Sequence, residues 1–472
     1  MWVSKYKDIL HLYLLFLISV VVIYKLPTIA GAVFQILLLI AFWRSKRDYF
    51  WLAFVFVVQN FPGALFSRYT GDIQNTFSLL TTSQAGTLYF WMIFVILAFI
   101  KALQKKASYQ LVIVNNIKIL AGYFVILVLI FGLYKWTAVT RTLLPWLFLF
   151  ILPRLLQKEV DFYRFFQLIF SFLFFVIATQ VFQILFTVPL AKYLGGYNIA
   201  GTAEELKSVV RPTDGIYIPY LALFGSLYFL IYQKKIYRTN YLLTIAGLSV
   251  FSIFITATRS WMISALFITG SYVFFMTYQR YNLILRLIIP FILVLLIIQF
   301  VPAVSQQVDL ALHRYETVQY LVEGDITAGG TLERLSVRSP RVFAKFKESP
   351  IVGWGYGDEA NEYSDGHVGN ENLLMHTGII GYLFWLMLWL NFMLKMKLLN
   401  NKISVKNPYN NVPWLFITML VGILIINVSA QWFNYLLGYL SGFTFIFLFA
   451  FASFVNKEAR RAEHNLINTK GI

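Results

Sequence analysis

Long apolar blocks alternate with short polar connections along the whole chain. A helix needs about 20 apolar residues to cross a bilayer core, and a window of that size finds about fourteen such blocks here. The first two are "ILHLYLLFLISVVVIY" and "KLPTIAGAVFQILLLIAFW". Segments near Tyr49 to Phe66, Leu88 to Leu103, Ile117 to Tyr134, Leu143 to Leu156 and Phe165 to Phe186 complete the first half. The second half supplies Ile216 to Tyr232, Tyr241 to Thr256, Trp261 to Tyr278, Leu283 to Val301, Asn372 to Leu394, Val412 to Val428 and Trp432 to Val455. The block "LLPWLFLFILPRLL" is short and carries proline, which ends or kinks helices. No small-residue cleavage site stands out between the first two blocks, so the first reads as a transmembrane helix and not a removed signal peptide. The expected fold is an all-α polytopic integral membrane protein, with residues 1–472 forming one transmembrane domain.

Charge is distributed unevenly between the connections. "WRSKRD", "KALQKKASY", "LQKEVDFYR", "YQKKIYRTN", "YQRYNLILR", "KMKLLNNKISVKN" and the basic tail over residues 456–472 are alternate connections. Cytoplasmic loops hold the excess of Lys and Arg, so all of these fall inside if both termini are cytoplasmic and the number of spans is even. The opposite side then carries a loop over residues 187–215 and a much longer one over residues 302–371. A connection that long is expected to be functional. Within it, "SQQVDLALHRYETVQYLV" and "TLERLSVRSPRVFAKFKE" have the pattern of amphipathic helices that lie on the membrane surface or cap a cavity.

Composition agrees: 59% of residues are hydrophobic and 13% charged, outside the range of ordinary soluble domains. The formal net charge of +18 suits cytoplasmic loops facing anionic membrane lipid better than nucleic acid in so apolar a chain. The absence of cysteine excludes disulfides, thiolate metal sites and cysteine nucleophiles.

Three basic features converge on the side poor in positive charge. Arg211 stands in "SVVRPTDGIYIPYLALFG" just before a span, and Arg259 in "FITATRSWMISALF" between two spans. His367 opens "HVGNENLLMHTGIIG", with Gly378 and Gly381 following. An arginine pinned between apolar helices is costly and calls for a partner in a protein-lined or watery cavity. Two planar guanidinium forks suit a diphosphate and can stabilise charge developing on it as it leaves. An imidazole beside them could take the proton from an attacking hydroxyl. Asp358, Glu359, Glu362 and Asp365 lie near His367 without a recognisable metal-ligand spacing.

The "TATRS" turn, "RPTDGIYIP", "RLSVRSPRVFAKFKESPIVGWGYG" and the pattern of His, ten residues, Gly, two residues, Gly together resemble the O-antigen ligase and polymerase superfamily. The resemblance covers about Arg211 to Trp385; the first two hundred or so residues share only hydrophobicity. It implies a glycosyltransferase in the bacterial cytoplasmic membrane, acting at its outer face on an undecaprenyl-diphosphate-linked oligosaccharide donor. Arg211 and Arg259 would match the arginines that grip the diphosphate, and His367 the residue that activates the acceptor hydroxyl. Attack at the anomeric carbon would invert its configuration, with neither a nucleotide sugar nor a divalent metal required. The acceptor would be another lipid-linked repeat unit in a polymerase, for O-antigen or capsule, or a lipid core in a ligase. A chain-length regulator protein would be a further partner. Ligases of this group usually carry Asn, Ser or Gln after the histidine; Val368 stands there, which favours the polymerase.

Each residue has a plainer reading. Arg259 can anchor helix ends by snorkelling, Arg211 before Pro212 can mark a helix start, and His367 can be a solvated loop residue. His376, deeper in the same helix, reads as a packed or hydrogen-bonded histidine. "GWGYG" reads as a tight turn, since no strand precedes it as a phosphate cradle would need. Arg334, Arg338 and Arg341 recur near helical spacing, which fits either a solvated face or contacts to glycan or phosphate. A lipid-linked oligosaccharide flippase would also be basic and span repeatedly, but related halves and short outer loops are expected of it, and this chain has neither.

Overall fold

The computed structural model describes residues 2–25, 28–60, 67–70, 73–76, 78–82, 86–134, 142–186, 212, 215–232, 236–277, 309, 337–365, 368–429, 435 and 438–468. Fifteen α-helices are formed among them. In order they are α1 (Trp2–Lys25), α2 (Thr28–Arg44), α3 (Asp48–Gln59), α4 (Phe90–Leu103) and α5 (Val114–Phe131). A 3-10 turn (Leu144–Leu147) runs into α6 (Phe148–Leu155), followed by α7 (Glu159–Phe186), α8 (Tyr217–Ile231), α9 (Thr239–Ile255) and α10 (Arg259–Thr277). The last five are α11 (Ser339–Glu348), α12 (Asp358–Tyr363), α13 (Gly369–Lys402), α14 (Val412–Ser429) and α15 (Tyr439–Asn468). Four of them, α5, α7, α13 and α15, are long and apolar enough to cross a bilayer, and seven shorter apolar helices accompany them. The chain is thus a multi-pass membrane protein.

Degree of burial sorts the spans. The apolar window of α15 is 89% buried inside the protein and that of α5 only 22%, so α15 is the central post and α5 presents most of its surface to lipid. A helix apolar all round has no solvent face and must be wrapped by protein or lipid. In α15, Phe443, Phe447 and Phe451 stack along one side, and Phe165 and Phe166 of α7 and Phe224 of α8 close on them. Lipid offers apolar contacts as good as leucine does, so such association depends on shape; aromatic pairs add about 0.5–1.5 kcal/mol each.

Three features depart from the sequence expectation. Two antiparallel hairpins, β1–β2 (Ser67–Thr70 with Ile73–Thr76) and β3–β4 (Ser78–Thr82 with Gly86–Tyr89), stand between α3 and α4 as small additions to the helical architecture expected. Their Ser, Thr and Tyr content suits strands, but runs of four or five residues are too short for their alternation to stand out. Helix α13 continues through "KMKLLNNK" to Lys402, and α15 continues through the basic tail to Asn468, because Lys, Arg, Glu and Ala are good helix formers wherever the backbone is already helical. The proline-bearing block is short as expected, with Pro153 inside α6. The expected span over 283–301 and nearly all of the first amphipathic segment and of the 187–215 loop lie outside the described residues.

The basic connections gather at one end of the bundle. Asp48 before "FWLAF" pairs with Lys101 at 2.7 Å and Lys105 at 2.6 Å, and Arg47 pairs with Asp8 at 2.7 Å. Gln157 donates to Lys106 O, Tyr232 Oη donates to Glu159 and lies 3.5 Å from Tyr409 Oη, and Ser404 and Asn407 both donate to Glu463.

Candidate functional site at the broken helix

The opposite end is organised by a break in α13. Gly378 has φ +60° and ψ −173°, so the helical ladder stops there and its backbone groups need other partners. The segment after α11 supplies them: Ile379 N donates to Pro350 O at 2.9 Å and Ile380 N to Ile351 O at 3.2 Å. On the other side of the break, Trp354 N and Gly355 N donate to Met375 O and His376 O, both at 2.9 Å. Tyr123 Oη of α5 donates to Thr377 O at 2.8 Å. Non-helical backbone at membrane depth is tolerated only where it is satisfied in this way. A Cβ on Gly353, at φ +78°, would meet Gly378 N at 2.5 Å, so two glycines let the two backbones touch. "GWGYG" is therefore the seat of a broken helix.

His376 is locked into that seat. Its Nδ1 lies 2.7 Å from Gly355 O, which can only accept, so Nδ1 carries the proton. Nε2 then accepts from Ser364 Oγ at 3.4 Å, and the ring stacks on Tyr356 at 4.7 Å between centroids. Both ring nitrogens are engaged, as the packed reading of this histidine expects.

Above the seat, Asn372 is fully buried and grips both backbone groups of Asp365: Asp365 N donates to Asn372 Oδ1 at 3.0 Å, and Asn372 Nδ2 donates to Asp365 O. The Asp365 carboxylate faces Arg338 and Arg341 of the α11 segment, 3.7 Å from a guanidinium nitrogen of each. Those contacts are longer than close charge-assisted hydrogen bonds, and both arginines keep substantial exposure, 34% and 51% of the side chain. Helix α11 is pinned by Lys345, whose buried ammonium contacts Glu348 at 2.7 Å and Glu359 at 2.6 Å and lies 3.7 Å from the Trp354 ring centroid. Burial opposes that charge, but the two carboxylates outweigh it and hold the Lys345 pKa above its ordinary value. Glu359 and Asp365 thus serve as ion-pair partners, and no group of three or more metal-ligating side chains converges among the described residues.

The "TATRS" turn reaches the same end. Only Thr256, Ala257 and Thr258 separate α9 from α10, and buried Ala257 takes φ +50°, a conformation costing about 1–3 kcal/mol for a residue with a Cβ. Arg259, the first residue of α10, is half-buried. Phe416 meets Phe224, while the Gly422 backbone comes beside Tyr220 Oη and Ser264 Oγ, so α14 runs opposite to α8. Tyr217 and Tyr220 of α8 both meet Trp261 of α10, which aligns α10 with α8. The end of α14 accordingly rises beside the start of α10, and there Asn427 donates to Asn370 of α13 at 3.3 Å. Pro212 O accepts from Gln180 Nε2 at 3.2 Å, and Gln180 in turn accepts from Ser252, one turn short of the "TATRS" turn.

Of the residues singled out from sequence, Arg259, Arg338 and Arg341 are described, whereas Arg211, Arg334 and His367 lie outside the described residues. Their chain neighbours Pro212 and Val368 stand at this end, Val368 buried against Val342, Phe346 and Met375. Sequence reasoning missed Asp365 as the arginines' partner, Asn372 as the clamp and Tyr123 as the cap on the break. Asn372 alone carried a signal, as an amide inside an apolar block.

No curated protein matches the chain. Residues 244–386 match the family model described as O-antigen ligase, a segment that takes in Arg259, Arg338, Arg341, His367 and the broken helix and stops short of Arg211. The chain is a multi-pass membrane protein that carries an O-antigen ligase family domain over residues 244–386, and members of that family are enzymes that transfer lipid-linked glycans.

Proposed function

We propose that the protein is a polysaccharide polymerase of the cytoplasmic membrane, moving a glycan from its polyprenyl diphosphate carrier to a hydroxyl of a second lipid-linked repeat unit. The observation that carries this reading is that the Arg259 turn, the start of α13 and the Arg338–Arg341 pair, all within the matched family segment, lie at the end opposite the basic connections, with Asn427 of α14 bridging to Asn370 of α13. With the basic end in the cytoplasm, this site faces outward, where the carrier's diphosphate lies at headgroup level. Arg211 and Arg259 hold the diphosphate and neutralise the charge that grows on it as the glycosidic bond breaks. His367 takes the proton from the acceptor hydroxyl as its oxygen attacks the anomeric carbon from the opposite face, which inverts the configuration. Polyprenyl diphosphate leaves with the bonding electron pair.

The family's description as O-antigen ligase favours a second reading, in which the same donor chemistry delivers glycan to a lipid core. Surface-glycan banding separates them. Cells lacking the gene, complemented with wild type, Arg211→Ala, Arg259→Ala or His367→Ala at matched protein level, should show single repeat units in the null and in all three variants. Polymer that accumulates unattached in the null would identify a ligase. Full-length attached glycan from all three variants would overturn the assigned site, and accumulation of the lipid-linked unit on the cytoplasmic side would indicate a flippase.

A further inference from the structure

Helix α11 has two faces that carry apolar side chains, and among the described residues only one of them packs against protein. Val342 and Phe346 pack beneath it against Val368 and Met375. On another side Pro340, Phe343, Ala344 and Lys347 are exposed at spacings of three and four residues, and exposed Ile351 continues the line just past the helix. An exposed edge of this length on a short helix needs an occupant.

Continuity identifies it. Ile351 lies on the break in α13 through the Ile380 N to Ile351 O hydrogen bond. From there exposed Ile379, Leu383, Met387, Leu390 and Leu394 run down one side of α13, at the spacing of a single helix face. That face belongs to a helix long and apolar enough to cross a bilayer, so its surroundings are acyl chains. The α11 edge prolongs the same surface by about two helical turns, to the level where acyl chains give way to headgroups. The polar groups fit that level. Lys347 Nζ lies 5.1 Å from the Phe343 ring centroid, an ammonium at the tip of an apolar stem above a ring, and exposed Arg341 adds a second positive group. Lys345 adds none, because Glu348 and Glu359 more than balance it and turn their carboxylates toward it.

We propose that α11 is an interfacial helix whose Pro340–Phe343–Ala344–Lys347–Ile351 edge rests in the leaflet at the α13 break, with anionic lipid as its occupant. This seat holds Arg338 and Arg341 at headgroup height. The inference rests on α13 crossing the bilayer and stands apart from the glycan-transfer reading.

The chain contains no cysteine, so single substitutions report without background. Ala344→Cys, Lys347→Cys and Ile351→Cys carry a nitroxide label in the full-length protein, reconstituted into phosphatidylcholine vesicles with and without phosphatidylglycerol. Leu390→Cys serves as a reference within the bilayer and Asp358→Cys as one in water. The ratio of collisions with oxygen to collisions with a water-soluble nickel chelate should be about threefold or more higher at the α11 edge than at Asp358, below that at Leu390, and higher with phosphatidylglycerol present. Values equal to Asp358 at all three edge positions would show that the edge faces water. Protection from both agents would show a protein cover, such as a second copy. Either result overturns the proposal, and neither depends on whether the enzyme transfers glycan.

Discussion

Two clusters of opposite charges stand at opposite ends of this bundle and are built on different terms. At one end Asp48 is almost fully buried, touches Lys101 and Lys105 at 2.7 and 2.6 Å, and Lys101 also donates to the carbonyls of Phe42 and Ser45. At the other, Asp365 stands 3.7 Å from Arg338 and from Arg341, both of which retain access to solvent. The first cluster is closed: nothing can replace Asp48 without stranding a buried ammonium. The second is looser: its two guanidinium groups stand farther from the carboxylate and keep much of their exposure. Charge alone therefore says little about function, whereas the closeness of its compensation says a good deal.

Breaking the closed cluster should have the largest effect. Asp48→Ala leaves Lys101 buried beside an empty place and should cost about 3–5 kcal/mol, read as a loss of thermal stability in detergent micelles. Next comes the seat beneath the open cluster, whose order comes from backbone contacts and not from charge. Gly353→Ala brings a Cβ to 2.5 Å from Gly378 N, and at φ +78° adds conformational strain. Together these should cost about 2–4 kcal/mol and expose the Trp354 region to proteolysis. Asn372→Ala releases the backbone of Asp365 and should lower glycan transfer by about tenfold to a hundredfold, with folded protein retained in the membrane. Asp365→Asn sharpens the contrast from the other side. The loss of a loose, partly exposed ion pair should move stability by less than about 1 kcal/mol, and the banding pattern alone would change. If Asp365→Asn destabilised the protein as much as Asp48→Ala, the two clusters would be the same kind of structure.

The smallest effect concerns alkaline pH. Because Glu348 and Glu359 raise the Lys345 pKa on folding, that ion pair stabilises fully below the pKa of an unfolded lysine, and the contribution is lost as pH rises through the higher folded value. Trp354 fluorescence should report release of α11 in the alkaline range. Lys345→Met should remove that transition.

Much of this was legible in the order of residues. Block length and apolarity required membrane helices, and the gathering of "WRSKRD", "KALQKKASY" and "LQKEVDFYR" at one end follows from alternation of basic and neutral connections. The short "TATRS" turn and the packed state of His376 were also foreseen. The hairpins were not, because four-residue strands leave almost no periodic signal. In the sequence the break in α13 shows only as two glycines, a pattern that suits close packing between helices. Gly381 fits that, since a Cβ there would collide with Tyr123 and Thr377, but Gly378 does something a pattern cannot display.

The sequence by itself determined that this chain lives in a membrane, which connections share a side, and which residue types can meet a phosphate. These are additive properties of local stretches: transfer energy summed over a window, charge counted over a loop. Only the tertiary structure decided that Gly353 and Gly378 would touch backbone to backbone, that Asp365 would face two arginines, and that Asn372 would hold it there. Those contacts join residues brought together by a broken helix, and which partner a freed backbone group finds depends on what the rest of the fold carries to it.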